Sequence, residues 1–304
     1  MFKPILKKLF YYENYVVAYR FLDSRKDDIG IKFPSYDIIN PSGTSWYADP
    51  FPFIYHGKHY IFVEIYSIWD SKATLGVFCI EDGGKPKRIL DEPFHLSYPN
   101  VFEWEGEIYM IPETHNAKQL RLYKCSHFPY NWELDRILLD NVDYADTSLM
   151  FEEDAIWVET MEDRGNQNYS NKLFKLDMHN KQIIEISPIH NNWINKRPAG
   201  NFFKVNNVWF HALQECSNAY GEYMHIAKVY NFNEREFIEK RYRSIHVKDY
   251  SLKSSIPFIY THTLNRCKNL EVIDLLYHKF SLLKPFACLW RYYLRMIGKS
   301  SYSN

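Results

Sequence analysis

The 304-residue chain has no net charge, because 37 Lys and Arg balance 37 Asp and Glu. That balance argues against a nucleic-acid partner held by bulk electrostatics. Cysteine is scarce. The five present, Cys79, Cys125, Cys216, Cys267 and Cys288, are scattered and form no Cys-x-x-Cys pair. Neither a zinc site nor a disulfide framework is expected from them. No run approaches the roughly 18 apolar residues of a membrane span. Residues 1–10 interrupt their apolar run with three lysines, leaving no clean secretory core. A P-loop and a Gly-x-Gly-x-x-Gly turn are also missing, so no phosphate cradle is visible. No metal or cofactor is expected, and a reducing cytoplasmic compartment is the default reading.

Aromatic residues are abundant, at 18%, with 25 Tyr and 21 Phe. They suit stacked sheets and sugar-binding surfaces. Residues 46–64, WYADPFPFIYHGKHYIFVE, read as a β-hairpin. Asp49 opens it, residues 56–58 turn it and Glu64 closes it. The pattern returns. YPNVFEWEGEIYMIPE places Tyr98 at the start and Glu113 at the end. DTSLMFEEDAIWVET starts at Asp146, has a turn two residues shorter, and closes on Glu159. RPAGNFFKVNNVWFHALQ runs from Arg197 to Gln214, and a fifth start lies near His262. The starts are 49, 48, 51 and 65 residues apart. Periods near fifty, each beginning with a hairpin, point to propeller blades of about four strands.

The fold class expected is all-β: a five-bladed β-propeller closed by an N-terminal strand, with a short helical C-terminal tail. Residues 1–13 form a basic amphipathic segment, 14–276 the propeller and 277–304 a basic aromatic tail. Too little sequence follows His262 to build a whole blade. The strand at 14–22 is its natural supplier, since an open ring leaves unpaired edges. The tail is expected to be helical from Pro285 onward.

In a propeller the innermost strand of each blade lines the channel, and its neighbour returns to the same mouth. The repeat therefore gathers Asp49, Tyr98, Asp146, Arg197 and His262 as starts. Glu64, Glu113, Glu159 and Gln214 are the returns, and Glu215 ends the fourth. Trp46, Tyr47 and Tyr220 flank this ring as sugar-binding candidates. Carboxylates around a polar funnel suit glycosyl chemistry, in which one is protonated for the leaving oxygen and one ionised as base or nucleophile. The alternative is structural. Repeat-end acids cap strands by accepting backbone N–H bonds or pairing with cations of the next blade.

Several stretches resemble a known family. They are residues 46–51 (WYADPF), 95–99 (HLSYP), 111–114 (IPET), 146–148 (DTS), 197–200 (RPAG), Gln214-Glu215-Cys216 with Tyr220-Gly221, and His262-Thr263 with residues 272–274 (VID). The set is similar to a bacterial family related to the N-terminal propeller of plant glucosamine inositolphosphorylceramide transferases. The match extends over about residues 14–275. It implies a five-bladed propeller like those of the arabinanase and invertase hydrolases, in a setting of surface-polysaccharide or glycolipid assembly. From the hydrolases it implies Asp49 as base or nucleophile, Asp146 as a tuning carboxylate, and a Glu as acid, either Glu215 or Glu113.

Glycosyl transfer is favoured over hydrolysis, because a cytoplasmic polysaccharide hydrolase has no obvious substrate there. A glycosidase and a non-catalytic glycan-binding scaffold are the alternatives. The expected partner is a glycan or activated sugar, lipid-linked in one reading. After Asp274 the chain has no acidic residue, while Lys279, Lys284, Arg291, Arg295 and Lys299 alternate with aromatics. Residues 1–12 and 277–299 are thus expected to meet an anionic membrane surface, making the protein peripheral on the inner face. The alternatives are a tail packed on the propeller's side and a protein partner.

Overall fold

Residues 7–23, 29, 33–152, 155–163, 169–187, 189–190 and 196–298 are described by a computed structural model. Five antiparallel-centred sheets follow one another along the chain. Blade one is Ser45–Tyr55, Lys58–Ser67, Thr74–Cys79 and Lys87–Leu90. Blade two is Ser97–Trp104, Glu107–Glu113, Gln119–His127 and Asn131–Asp140. Blade three is Tyr144–Glu152, Ala155–Asp163, Tyr169–Asp177 and Gln182–Ile186. Blade four has an interrupted inner strand, Arg197–Pro198 then Phe203–Val205, followed by Val208–Glu215, Tyr223–Phe232 and Glu236–Ile245, with Ile189–His190 at its outer edge.

Blade five is assembled from both ends of the chain. Leu264–Cys267 and Leu270–Phe280 pair with Tyr11–Phe21, which pairs with Phe33–Ile39, and Tyr250–Leu252 lies outermost. The closing register runs from Tyr11 opposite Phe280 to Phe21 opposite Leu270 without a break. The expected N-terminal closure is therefore present. The strand begins at Tyr11, inside the stretch expected to be helical; residues 7–10 are helical, and the rest of that expectation lies outside the described residues.

Two-residue turns set the inner hairpins. His56-Gly57 and Glu105-Gly106 both carry positive φ at each position. That is the twist-matched turn for which glycine is favoured. Every blade seam is filled by its own apolar cluster. Phe51, Phe62, Leu96 and Met110 fill the seam between blades one and two, and Ile111, Leu149 and Val158 that between two and three. Met150, Trp157, Phe202 and Phe237 follow, then Ala199, Ile226, Leu264 and Ile273. Val17, Ile61, Val63 and Val272 close the ring between blades five and one. Burial of this kind is worth roughly 25 cal/mol per Å², so the ring is held at every joint.

Candidate functional site

The innermost strands do not run straight to the mouth. In blade one Ala48 faces Glu64 and Phe51 faces Phe62, so Asp49 and Pro50 oppose Val63 alone. Blade two repeats this, with Tyr98 and Pro99 against Pro112. In blade three Asp146 and Thr147 stand against Thr160. Each is a β-bulge, which bends the strand and re-aims a side chain. The first bulge residue has φ of 47° at Asp49, 50° at Tyr98 and 52° at Asp146. Non-glycine residues avoid that region, and where they occupy it the surroundings must hold them. Here carboxylates do so across the seams. The Asp146 N–H donates to Glu113 Oε2 at 3.1 Å, and the Asp49 N–H donates to Asp274 Oδ2 at 3.2 Å.

The bulges open onto a cavity of about 890 Å³ at the mouth. Of the candidates from the sequence, Trp46, Asp49, Glu64, Glu113, Asp146, Arg197, Tyr220 and His262 line it. Tyr15, His95 and Ser97 join them, and Lys7, Lys8, Lys284 and Arg291 add cations.

The remaining candidates are not among the described lining residues. Tyr47 packs in the seam of blades five and one. Tyr98 shares the bulge backbone, but its ring is buried against Phe51 and its hydroxyl meets Ser148 at 2.9 Å. Glu159 is corrected by register. It pairs with Ser148, while Met161 occupies the place that Glu64 and Glu113 hold in the other blades. It is buried in a cluster with Lys196 at 2.6 Å and His211 at 3.3 Å. The Gln214 amide donates to the Pro198 carbonyl at 2.9 Å. Glu215 meets His225 Nε2 at 3.0 Å and accepts the Ser217 N–H.

Environment separates the carboxyls. Burial pushes Glu64 well above its usual range, and the charges of Asp49, Glu113 and Asp274 add to that. Its neighbour His95 Nε2 lies 3.4 Å away. Burial also holds His95 neutral, with its pKa down at about 4. For Glu113 burial acts upward, but the His115 hydrogen bond and charge, with Arg197 and His95, outweigh it and hold the pKa at about 2. Asp49 is raised to about 6 by burial, opposed by His262 and reinforced by Asp274 and Glu113. Asp146 is raised to about 7 by burial, opposed by its ion pair with Arg197. Glu215 is lowered: burial acts upward, but Ser217 and His225 outweigh it.

The three glutamates differ in what engages them. Both oxygens of Glu113 are engaged, one by the Asp146 N–H and one by His115 Nδ1 at 2.7 Å. It is an ionised, fixed group, and Glu215 is ionised outside the cavity. Glu64 lines the cavity, and burial there favours its protonated form. Asp49 is oriented by the Thr263 hydroxyl at 3.1 Å and faces His262 Nε2 at 3.7 Å. Burial opposes the charge on His262, but Asp274, Asp49 and Asp146 outweigh it and raise its pKa to about 9. Tyr15 stacks on that ring at 4.8 Å, and Tyr220 meets its face edge-on at 5.5 Å. Gly221 permits the approach, since a Cβ there would sit 2.6 Å from His262 Cβ.

Asp49, His262 and Asp274 each offer a ligand atom within 4.8 Å of the others. They would hold a cation only after His262 gave up its proton, and as an imidazolium it already faces both acids, Asp274 at 2.7 Å and Asp49 at 3.7 Å.

Below the carboxylates runs a wiring that the hairpin pattern did not reveal. Asn100 Nδ2 donates to the Thr147 carbonyl at 2.8 Å, and Asn100 and Asn201 exchange bonds at 2.6 and 2.7 Å. The Asn201 N–H donates to Asn265 Oδ1 at 2.7 Å, and Asn265 Nδ2 to the Pro50 carbonyl at 2.9 Å. All five inner strands are tied by these groups. The signal was an Asn just beyond the start in blades two, four and five.

In fold the chain is similar to CoXyl43, a GH43 β-xylosidase/α-arabinofuranosidase from a compost microbial metagenome. The TM-score is 0.53 at 11% identity, over 77% of this chain and 90% of that one. A GH43_1 enzyme from Xanthomonas citri gives 0.53 at 10% identity, over 77% and 87%. In sequence it is similar to Glucosamine inositolphosphorylceramide transferase 1 of Oryza sativa subsp. indica, 29% identical over 207 residues, and of Arabidopsis thaliana, 28% identical over 207 residues. Each alignment takes in 64% of this chain but only 28% and 27% of those proteins. Residues 37–275 match the family described as Glucosamine inositolphosphorylceramide transferase 1, N-terminal, and the chain belongs to that family.

Proposed function

We propose that this propeller acts on a carbohydrate during surface-polysaccharide or glycolipid assembly, and that its reaction is glycosyl transfer. One observation carries the reading. Four of the carboxyls lining one cavity are driven apart by their surroundings, with Glu64 pushed well up, Glu113 held at about 2, and Asp49 and Asp146 raised to about 6 and 7. Pairs of titratable groups pushed apart in this way mark acid and base roles. Glu64 gives its proton to the departing glycosidic oxygen. Asp49, aligned by Thr263, either takes the proton of the acceptor hydroxyl as that oxygen attacks the anomeric carbon, or attacks the carbon itself and is then displaced by the acceptor, whose proton returns to Glu64. Asp146 with Arg197 sets the field, and Glu113 holds the Asp146 backbone. The plant relatives' name as transferases supports transfer, and the free cysteines suit a reducing compartment. A setting at the inner face of the membrane fits this reading.

The test is complementation of a deletion strain with Asp49→Asn or Glu64→Gln, with surface glycan read by mass spectrometry. Loss of the glycan by both, with each protein folded and at normal level, is the expected result. Intact glycan with either variant would overturn the assignment. Release of free sugar by the purified protein from that glycan would make it a hydrolase instead.

A further inference from the structure

The C-terminal helix, Lys284–Met296, lies outside the matched region 37–275 and lines the rim of the cavity through Lys284 and Arg291. It is fastened by Ala287, buried with Tyr12 and Ile68 against Trp46 and Trp69. Lys284 Nζ reaches the Lys8 carbonyl at 2.6 Å. Ala287 is its one buried residue. Phe286, Leu289, Trp290, Tyr292, Tyr293 and Met296 are all exposed, Leu289 at 67% and Met296 at 71%. The 286, 289, 290, 293, 296 spacing is an apolar stripe, which a helix of a globular protein ordinarily turns to the core. Here it points away from the protein.

Charge identifies what the stripe meets. The helix carries Lys284, Arg291 and Arg295 and no acid, and Lys7 and Lys8 stand beside it at the rim. A second copy would bring like charges together across a twofold axis. Trp and Tyr among apolar side chains and Arg match the headgroup level of a bilayer. The helix is too short and too polar to cross one. We propose that this helix docks in the plane of an anionic lipid bilayer and holds the mouth of the cavity against the headgroups. The mouth then admits a sugar carried on a lipid of that bilayer, with the rim cations meeting the anionic part of its linkage. That statement of substrate rests on the reaction assigned to the cavity; the docking does not.

The test uses the full chain and co-sedimentation with vesicles of phosphatidylcholine alone or rich in phosphatidylglycerol, at low and high salt. Binding to the anionic vesicles, lost several-fold in high salt or on neutral ones, is expected. Leu289→Glu combined with Met296→Glu removes apolar insertion, and partitioning should fall more than about tenfold, with an unchanged melting temperature. Asp49→Asn should bind as the parent does, so a failed reaction is not mistaken for failed docking. Absent binding, binding indifferent to lipid charge, or a double variant that binds like the parent would overturn the proposal. So would a parent dimer in sedimentation analysis that the double variant abolishes, because the stripe would then be a self-interface.

Discussion

Asp49 and Asp146 sit in a backbone state that L residues avoid, at φ of 47° and 52°, and in burial that raises their pKa values. Asn tolerates positive φ better than most residues, so Asp→Asn isolates the charge. A folded-state pKa above the unfolded value favours folding with the proton on. For Asp49 that contribution is complete below about 3.8 and is lost as pH rises through about 6. Asp49→Asn is therefore expected to melt no lower than the parent near pH 8, and Asp274 continues to hold His262. Asp146→Asn leaves Arg197 short of its ion-pair partner and is expected to lose about 1–3 kcal/mol in urea unfolding. Glu113 has the opposite sign. Its pKa falls from 4.5 to about 2, so its stabilisation is present above about 4.5 and fades as pH drops through about 2. Glu113→Gln should cost about 3 kcal/mol at neutral pH, and the difference from the parent should shrink in acid. A pH-independent difference would mean that packing, not charge, is lost.

The elements that carry this site could be read from the repeat because start, turn and end chemistry recur together. The reading failed where spacing and register part company. Glu159-Thr160 looks like Glu113-Thr114, but the shorter turn shifts its pairing and sets Met161 opposite Ala145, as Glu113 stands opposite Ser97. Glu215 was placed by its position at a strand end, which says nothing about which way the side chain leans, and His225 takes it. The pKa split was not readable, since it depends on burial and on neighbours contributed by other blades. Two expectations belong at this scale. Deleting residues 1–22 removes the strand paired along Leu270–Phe280 and exposes a long edge; the product should elute as oligomer or lose its cooperative melt. Gly200 has φ of 142°, and a Cβ there would lie 2.1 Å from the Leu264 carbonyl oxygen. Gly200→Ala should lose about 3 kcal/mol or more in urea unfolding, because the seam of blades four and five must move.

Across the whole molecule, zero net charge conceals a sorted distribution. Asp49, Glu64, Glu113 and Asp146 gather in the cavity around Arg197, while Lys7, Lys8, Lys284 and Arg291 line it together with the exposed Glu13. His262 adds a second alkaline limb, since its raised pKa gives stability below about 6.5 that is lost as pH passes about 9. With Asp49 and Asp146 it should make the parent's melting temperature decline between about pH 6 and 9, measurable by scanning fluorimetry. The asparagines beneath have a further consequence. Asn100, Asn201 and Asn265 bond to one another and to the Pro50 and Thr147 carbonyls, so the five inner strands are tied by side chains as well as by the apolar seams. A substitution at any one of the three would therefore release contacts in more than one blade at once.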